Sequence, residues 1–157
     1  MRGNHPGLYS EYTKGRKYPN NIRLIEQHDW LKRLLGCNIH PAIPTNTPGI
    51  RVADVATGTA VWLLELAKTL PLDAQLYGFD ISTLQFPAPE ACPSNVFLHE
   101  QNITKPFPEK YHGFFDIVAI RLITAGLRGD DWEAAVKNVN ALLSLSSLCN
   151  LVNFDQY

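Results

Sequence analysis

Three side chains able to accept hydrogen bonds stand at the ends of three successive apolar segments. Asp54 ends "RVAD", Asp80 ends "AQLYGFD" and Asn102 follows "VFLHEQ". In a chain that alternates strands and helices, an acid at the second strand's end, about 20 residues past the first turn, can accept from both hydroxyls of a ribose. Asn102 can pair with an adenine edge through its amide while Ile103 packs on the face of the base. A fourth segment, "FFDIVAIR", brings Asp116 and Arg121 toward the same crevice. Singly, each residue has a plain structural role: Asp54 as a strand-end acid, Asp80 as a helix N-cap before Ser82, Asn102 as the head of an Asx turn. Together, at successive strand ends, they describe a nucleoside pocket.

The turn behind Asp54, "DVATGTA", separates two classes of ligand. A dinucleotide fingerprint needs small residues at 56, 58 and 61, so that the pyrophosphate meets bare backbone and the helix packs close to the strand. Position 61 is Val61, whose branched side chain obstructs that approach, and Ala56 adds a methyl group beside the phosphates. Small residues at 56, 58 and 60 behind an acid suit a ligand without a pyrophosphate. That spacing resembles the loop of class I methyltransferases, which packs the methionine and ribose portions of S-adenosylmethionine.

These residues need elements to hold them. "IRVADVA", "AQLYGFDI", "VFLHEQ" and "FFDIVAIR" read as strands, with a last short strand at "LCNLVNF". "AVWLLELAKTL" reads as a helix stopped by Pro71, and "DDWEAAVKNVNALL" as another with Asp130 or Asp131 as its cap. Alternation of this kind predicts an α/β fold with a mostly parallel sheet and right-handed crossovers. Upstream, Ile22, Ile25, Trp30, Leu31, Leu34 and Leu35 recur at helical spacing, giving an amphipathic helix that ends near Gly36. Residues before it read as irregular, and "HPAIPTNTPG" is a proline-broken connector. The division expected is a helical cap and connector over 1–45 and a nucleotide-binding domain over 46–157.

Composition excludes several classes. With 45% apolar and 18% charged residues and a net charge of -1, the chain has the profile of a globular domain. It lacks the basic stripe that nucleic-acid binding requires, and no run is long enough to span a bilayer. The N-terminus has no apolar signal core. Three unpatterned cysteines, Cys37, Cys92 and Cys149, read as reduced thiols, which places the chain in the cytoplasm or nucleus. The histidines and acids show no metal-ligand spacing, so no metal is expected. His99 and His112 read as surface residues.

Longer segments carry a family resemblance that runs from about Tyr18 to Trp132. "KYPNNIRLIEQHDWL", "RVADVATGTAVWLLELA", "GFDISTLQFPAPEACPSNVFL" and "PFPEKYHGFFDIVAIRLI" resemble, in order, segments of the fungal class I S-adenosylmethionine-dependent methyltransferases of secondary metabolism. This is the group similar to the regulator called loss of aflR expression A. The third segment is the most specific. The resemblance implies a Rossmann-like fold and S-adenosylmethionine as cofactor. It implies that Asp54, Ala56, Gly58 and Thr59 line the methionine end, that Asp80 and Ile81 hold the ribose, and that Asn102 and Ile103 hold the adenine. Arg121 would line the pocket, and the helix carrying Gln27 and His28 would fold over it. His28 is a candidate base or a packing residue of that helix. The acceptor implied is a small molecule.

Departures from the family pattern are equally visible. Ala56 and Ala60 replace glycines, with strain if Ala56 needs a positive φ. Asn102 replaces the usual acid. After Leu143 the expected "K-P-G-G" turn is replaced by "SLSSLCNLVNFDQY", so strands 1–5 of the usual seven are expected and strands 6 and 7 read as missing. The fifth strand would then be an open edge, suited to a protein partner or a homodimer. A methyltransferase impaired by shortening is the leading reading, and a non-catalytic partner that keeps the fold is the alternative. A dehydrogenase ranks third because of Val61.

Overall fold

The computed structural model describes residues 19–123 and 126–152. Helix α1 spans Pro19–Leu35. Strand β1 (Arg51–Val55) leads to the short helix α2 (Val61–Leu66), then to β2 (Gln75–Asp80), β3 (Val96–Glu100) and β4 (Phe115–Arg121). Helix α3 (Asp131–Asn140) and strand β5 (Leu143–Val152) complete it. The five strands form one sheet in the order β3-β2-β1-β4-β5, with every pairing parallel. The expected α/β architecture is present. Irregular chain was expected over the first 19 residues; helix α1 already begins at Pro19, and residues 1–18 lie outside the described residues, as do Asn153 and Phe154.

Alternation along the strands builds a core on each face. Val52, Leu76, Ile117 and Ala119 pack on one face with Trp62, Leu63 and Leu66 of α2. Ala53, Val55, Phe79, Val118 and Ile120 pack on the other with Ala135 and Val139 of α3, together with Phe107, Tyr111 and Phe115. His99 belongs to this second face. It stacks on Phe79 at 5.7 Å between ring centroids, its Nε2 lies 3.2 Å from the Tyr111 hydroxyl, and burial lowers its pKa. The sequence placed it at the surface; an aromatic cluster absorbs it instead. His112 is exposed, as expected.

Helix α1 differs from its expected face. Gly36, left-handed at φ 71, closes it by a bond from its N–H to the Lys32 carbonyl. Yet Trp30 is 53% exposed, and Ile22, Leu34 and Leu35 also face outward. The buried stripe is Asn21, Ile25, His28 and Leu31. These positions recur every three or four residues, so they too share one side of a helix. Apolar periodicity alone could not choose between the two sides; partners for His28 on the sheet decide it.

Two further elements moved. Helix α2 stops at Leu66, well short of Pro71, and tight turns finish the segment. Strand β5 starts at Leu143, where the helix was expected to continue. Leu143 pairs with Phe115 and Leu148 with Ile117, so an irregularity in the ladder absorbs the intervening residues. The alternation in "LSLSSL" was the available signal. Asp130 occupies the N-cap position of α3 but its side chain makes no capping bond, and Asp131 accepts from the Arg128 N–H at 3.1 Å.

Close packing of α2 on the sheet depends on Gly78. A Cβ there would lie 2.6 Å from Leu98 Cδ2 and 3.0 Å from both Leu63 Cδ1 and Thr57 Cγ2. Gly78→Ala is expected to cost about 2 kcal/mol by overpacking, read as a lower urea midpoint with an unchanged slope.

Candidate functional site

Strand order reverses between β1 and β4, and in open parallel sheets the crevice at such a reversal is where ligands sit. A cavity of about 700 Å³ opens there. Its floor is the loop from Ala56 to Thr59 and its walls are Asp80 and Ile81, the segment Gln101–Thr104, and Arg121 with Leu122. Helix α1 roofs it with Arg23, Leu24, Gln27 and His28. Of the residues singled out from sequence, Ala56, Gly58, Thr59, Asp80, Ile81, Asn102, Ile103, Arg121 and His28 all line this cavity. Asp54 and Asp116 do not.

The loop's alternating small residues have a backbone cause. Ala56, Gly58 and Ala60 are all left-handed, at φ 61, 56 and 57. Left-handed backbone costs a residue with a Cβ about 1–2 kcal/mol, so the two alanines hold the turn under strain. At Gly58 the constraint is also steric, because a Cβ would meet Leu24 Cδ1 of α1 at 3.1 Å. Leu122, just past β4, is left-handed as well, at φ 57. Strain of this kind concentrates where loops are held for a ligand.

Hydrogen bonds hold the loop against β2. Thr57 N–H donates to the Phe79 carbonyl at 3.0 Å, and Gly58 N–H donates to Asp80 Oδ2 at 2.8 Å. Asp80 Oδ1 accepts from the Ser82 N–H at 3.1 Å. The Asp80 carboxylate therefore stands at the cavity wall with its orientation set from two sides.

Behind the loop lies a buried ionic chain. Asp54 and Arg121 share a face on neighbouring strands, since Asp54 pairs in register with Ala119. Asp54 is 1% exposed, and its Oδ2 accepts from Thr57 Oγ1 at 2.8 Å and from Arg121 Nη2 at 3.4 Å. Burial pushes the Asp54 carboxyl above its ordinary pKa, against the pull of Arg121, Thr57 and His28. Arg121 stacks over the Trp62 ring at 4.8 Å, and its Nη1 donates to His28 Nδ1 at 3.1 Å. A guanidinium only donates, so Nδ1 is the acceptor and the ring proton sits on Nε2. That Nε2 lies 3.3 Å from Glu65 Oε2. Lys32 Nζ and Asn38 Nδ2 reach the same oxygen at 2.6 and 2.9 Å. Burial raises the Glu65 pKa, but its contacts with His28, Lys32 and Asn38 outweigh that and lower it to about 2.

Three expectations change. Asp116 lies at the opposite end of β4, where it accepts from the Arg51 N–H at 2.8 Å and pairs with its guanidinium, because only the last residue of a strand reaches the crevice. Asp54 supports the floor from beneath and is not part of the lining. Asn102 Oδ1 accepts from both Thr104 N–H and Thr104 Oγ1 at 2.9 Å, so the oxygen expected to meet a base is used in an Asx turn. The turn uses the side-chain oxygen and not the amide nitrogen.

Sequence reasoning missed Glu65, Thr57, Arg23 and Gln101. Glu65 sat unremarked within an apolar helix, where a lone acid among buried positions was the available signal. His28, Asp29 and Glu65 each bring one potential metal-ligating atom within 4.8 Å of the others. Lys32 and Arg121 already deliver positive charge to this group, which opposes a metal ion there.

Comparison with known proteins follows the same lines. The fold matches the trans-methyltransferase CalH in complex with SAH, with a TM-score of 0.54 and 19% identity over 66% of this chain and 32% of that one. The N-methyltransferase tcpN of Claviceps purpurea is 38% identical over 133 residues, 83% of this chain and 47% of that protein. The secondary metabolism regulator laeA of Fusarium oxysporum is 25% identical over 96 residues, 61% of this chain and 29% of that protein. The chain belongs to the class I methyltransferases of fungal secondary metabolism. No family model matches it. The chain spans less than half the length of either relative.

Two outcomes are expected of this site. Ala56→Gly should raise stability by about 1 kcal/mol, because relief of left-handed strain exceeds the added entropy of the unfolded chain; thermal unfolding would register it as a Tm higher by several degrees. Glu65→Gln should cost about 2 kcal/mol at pH 7. A lowered carboxylate pKa stabilises the fold above the unfolded value of 4.5 and loses that effect toward about 2. In denaturant titrations the gap between wild type and variant should therefore narrow across that acid range.

Proposed function

We propose that the cavity binds S-adenosylmethionine and that the whole protein transfers its methyl group to a small molecule. The single observation that carries this reading is Asp80. Its carboxylate is held by the Gly58 and Ser82 N–H groups at the wall of one cavity that also contains the Ala56–Thr59 loop and the Asn102–Ile103 pair. In this reading Asp80 accepts from the ribose hydroxyls. Ile103 packs on adenine, and the Asn102 amide nitrogen donates to a ring nitrogen. Ile81, 65% exposed, closes over the nucleoside from the open side.

The remaining space suits an amino-acid tail. Thr59, 2% exposed, lines the cavity, and among the described residues its Oγ1 has no hydrogen-bond partner. A charged tail supplies the partner such an atom lacks. The bound sulfonium supplies a methyl group that is already activated for transfer. What this chain contributes is alignment and exclusion of water, with α1 as the roof. His28 is a positioning residue here: Arg121 occupies its Nδ1 and its Nε2 proton faces Glu65, so neither nitrogen is free to take a proton. The named relative tcpN favours a nitrogen acceptor, and its name as an enzyme disfavours a purely non-catalytic role.

Calorimetric titration with S-adenosylhomocysteine tests the reading. Binding should weaken by at least about 10-fold in Asp80→Ala, which removes a charged acceptor from two hydroxyls. No heat from the wild type at millimolar ligand would overturn it.

A further inference from the structure

The cavity contains a cation whose ligand the nucleoside contacts do not explain. Arg23 on α1 lines the roof, and its Nη1 donates to Gln27 Oε1, a neutral partner one turn along the helix, at 3.0 Å. Its neighbour Leu24 sits against Gly58, at the distance where a Cβ would lie 3.1 Å from Leu24 Cδ1. Arg23 is therefore on the roof above the loop, while the adenine and ribose contacts stand on the walls formed after β2 and β3.

We propose that Arg23 binds the carboxylate of the cofactor's amino-acid end, with the Thr59 hydroxyl as a neutral donor beside it. This rests on the reading of the cavity as an S-adenosylmethionine site. If Asp80 and the Asn102–Ile103 pair take the nucleoside, the tail runs along the loop beneath α1. An α-carboxylate there needs positive charge in a partly enclosed space, and the planar guanidinium fork matches it with two parallel bonds. Among the described residues Arg121 is the other arginine in the lining, and its terminal nitrogens are already directed at His28 and Asp54. Asp54 also offsets its charge. Arg23 keeps its charge on an exposed side chain, steered by Gln27.

The test compares two ligands by calorimetry. S-adenosylhomocysteine carries the amino-acid end; 5′-methylthioadenosine has the same nucleoside and thioether without it. In Arg23→Gln, affinity for S-adenosylhomocysteine should fall about 10- to 100-fold, and affinity for methylthioadenosine should stay within about twofold. Arg23→Lys should recover part of the loss, since charge returns without the fork. Thermal unfolding of each variant checks that α1 remains docked. Equal weakening of both ligands would mean that Arg23 only supports the roof, and an unchanged affinity for S-adenosylhomocysteine would place the carboxylate elsewhere. Either result overturns the assignment while leaving the cofactor reading intact. A wild type that binds neither ligand overturns both.

Discussion

Asp54 and Arg121 meet under the loop at the one place where the order of strands reverses, and the cavity is organised around that buried pair. Each belongs to a different strand, and each carries a second contact outward. Asp54 fixes Thr57 and with it the floor; Arg121 fixes His28 and with it the roof. A buried charge pair is a poor source of net stability, and burial raises the Asp54 pKa even beside a guanidinium. Its value is geometric: loop, strand ends and helix are tied to one point by directional bonds.

The ionic chain continues to Glu65, where the energetics reverse. Asp54 is destabilised in its charged form, whereas Glu65 is strongly stabilised by three donors from α1 and the segment after it. The docking of α1 is thus secured at a distance from the cavity and transmitted inward through His28. Apolar contact contributes as well, since Val61 and Leu64 of α2 pack with Ile25. The roof is polar where His28 and Lys32 meet Arg121 and Glu65, and apolar where Ile25 meets Val61 and Leu64.

The loop illustrates how a fold tolerates an unfavourable residue. Three left-handed positions alternate with Thr57 and Thr59, and glycine occupies the one where α1 also presses from above. The alanines accept strain because the bonds to Phe79 and Asp80 leave the backbone no alternative path. Close approach between helix and sheet, which a dinucleotide fold obtains from its third glycine, is obtained here at Gly78 on the neighbouring strand. Val61 is accordingly free to be large and to pack against α1.

Local pattern sufficed for much of this molecule. Strands β1 to β4 were legible from apolar runs that end in Asp54, Asp80, Gln101 and Arg121, because parallel strands buried on both faces must be apolar until they reach the crevice. The spacing of 56, 58 and 60 was legible too, because three left-handed positions in one turn favour small residues. Which face of α1 turns inward, which end of β4 Asp116 occupies, and that Asp54 supports the lining without joining it were decided by tertiary structure. Each depends on charges far apart in the chain, such as His28 with Arg121, whose pairing leaves no periodic trace. Asn102 shows the boundary in a single residue. Its identity announced a polar contact at a strand end, but only the fold shows that Thr104 takes the oxygen and not the amide nitrogen.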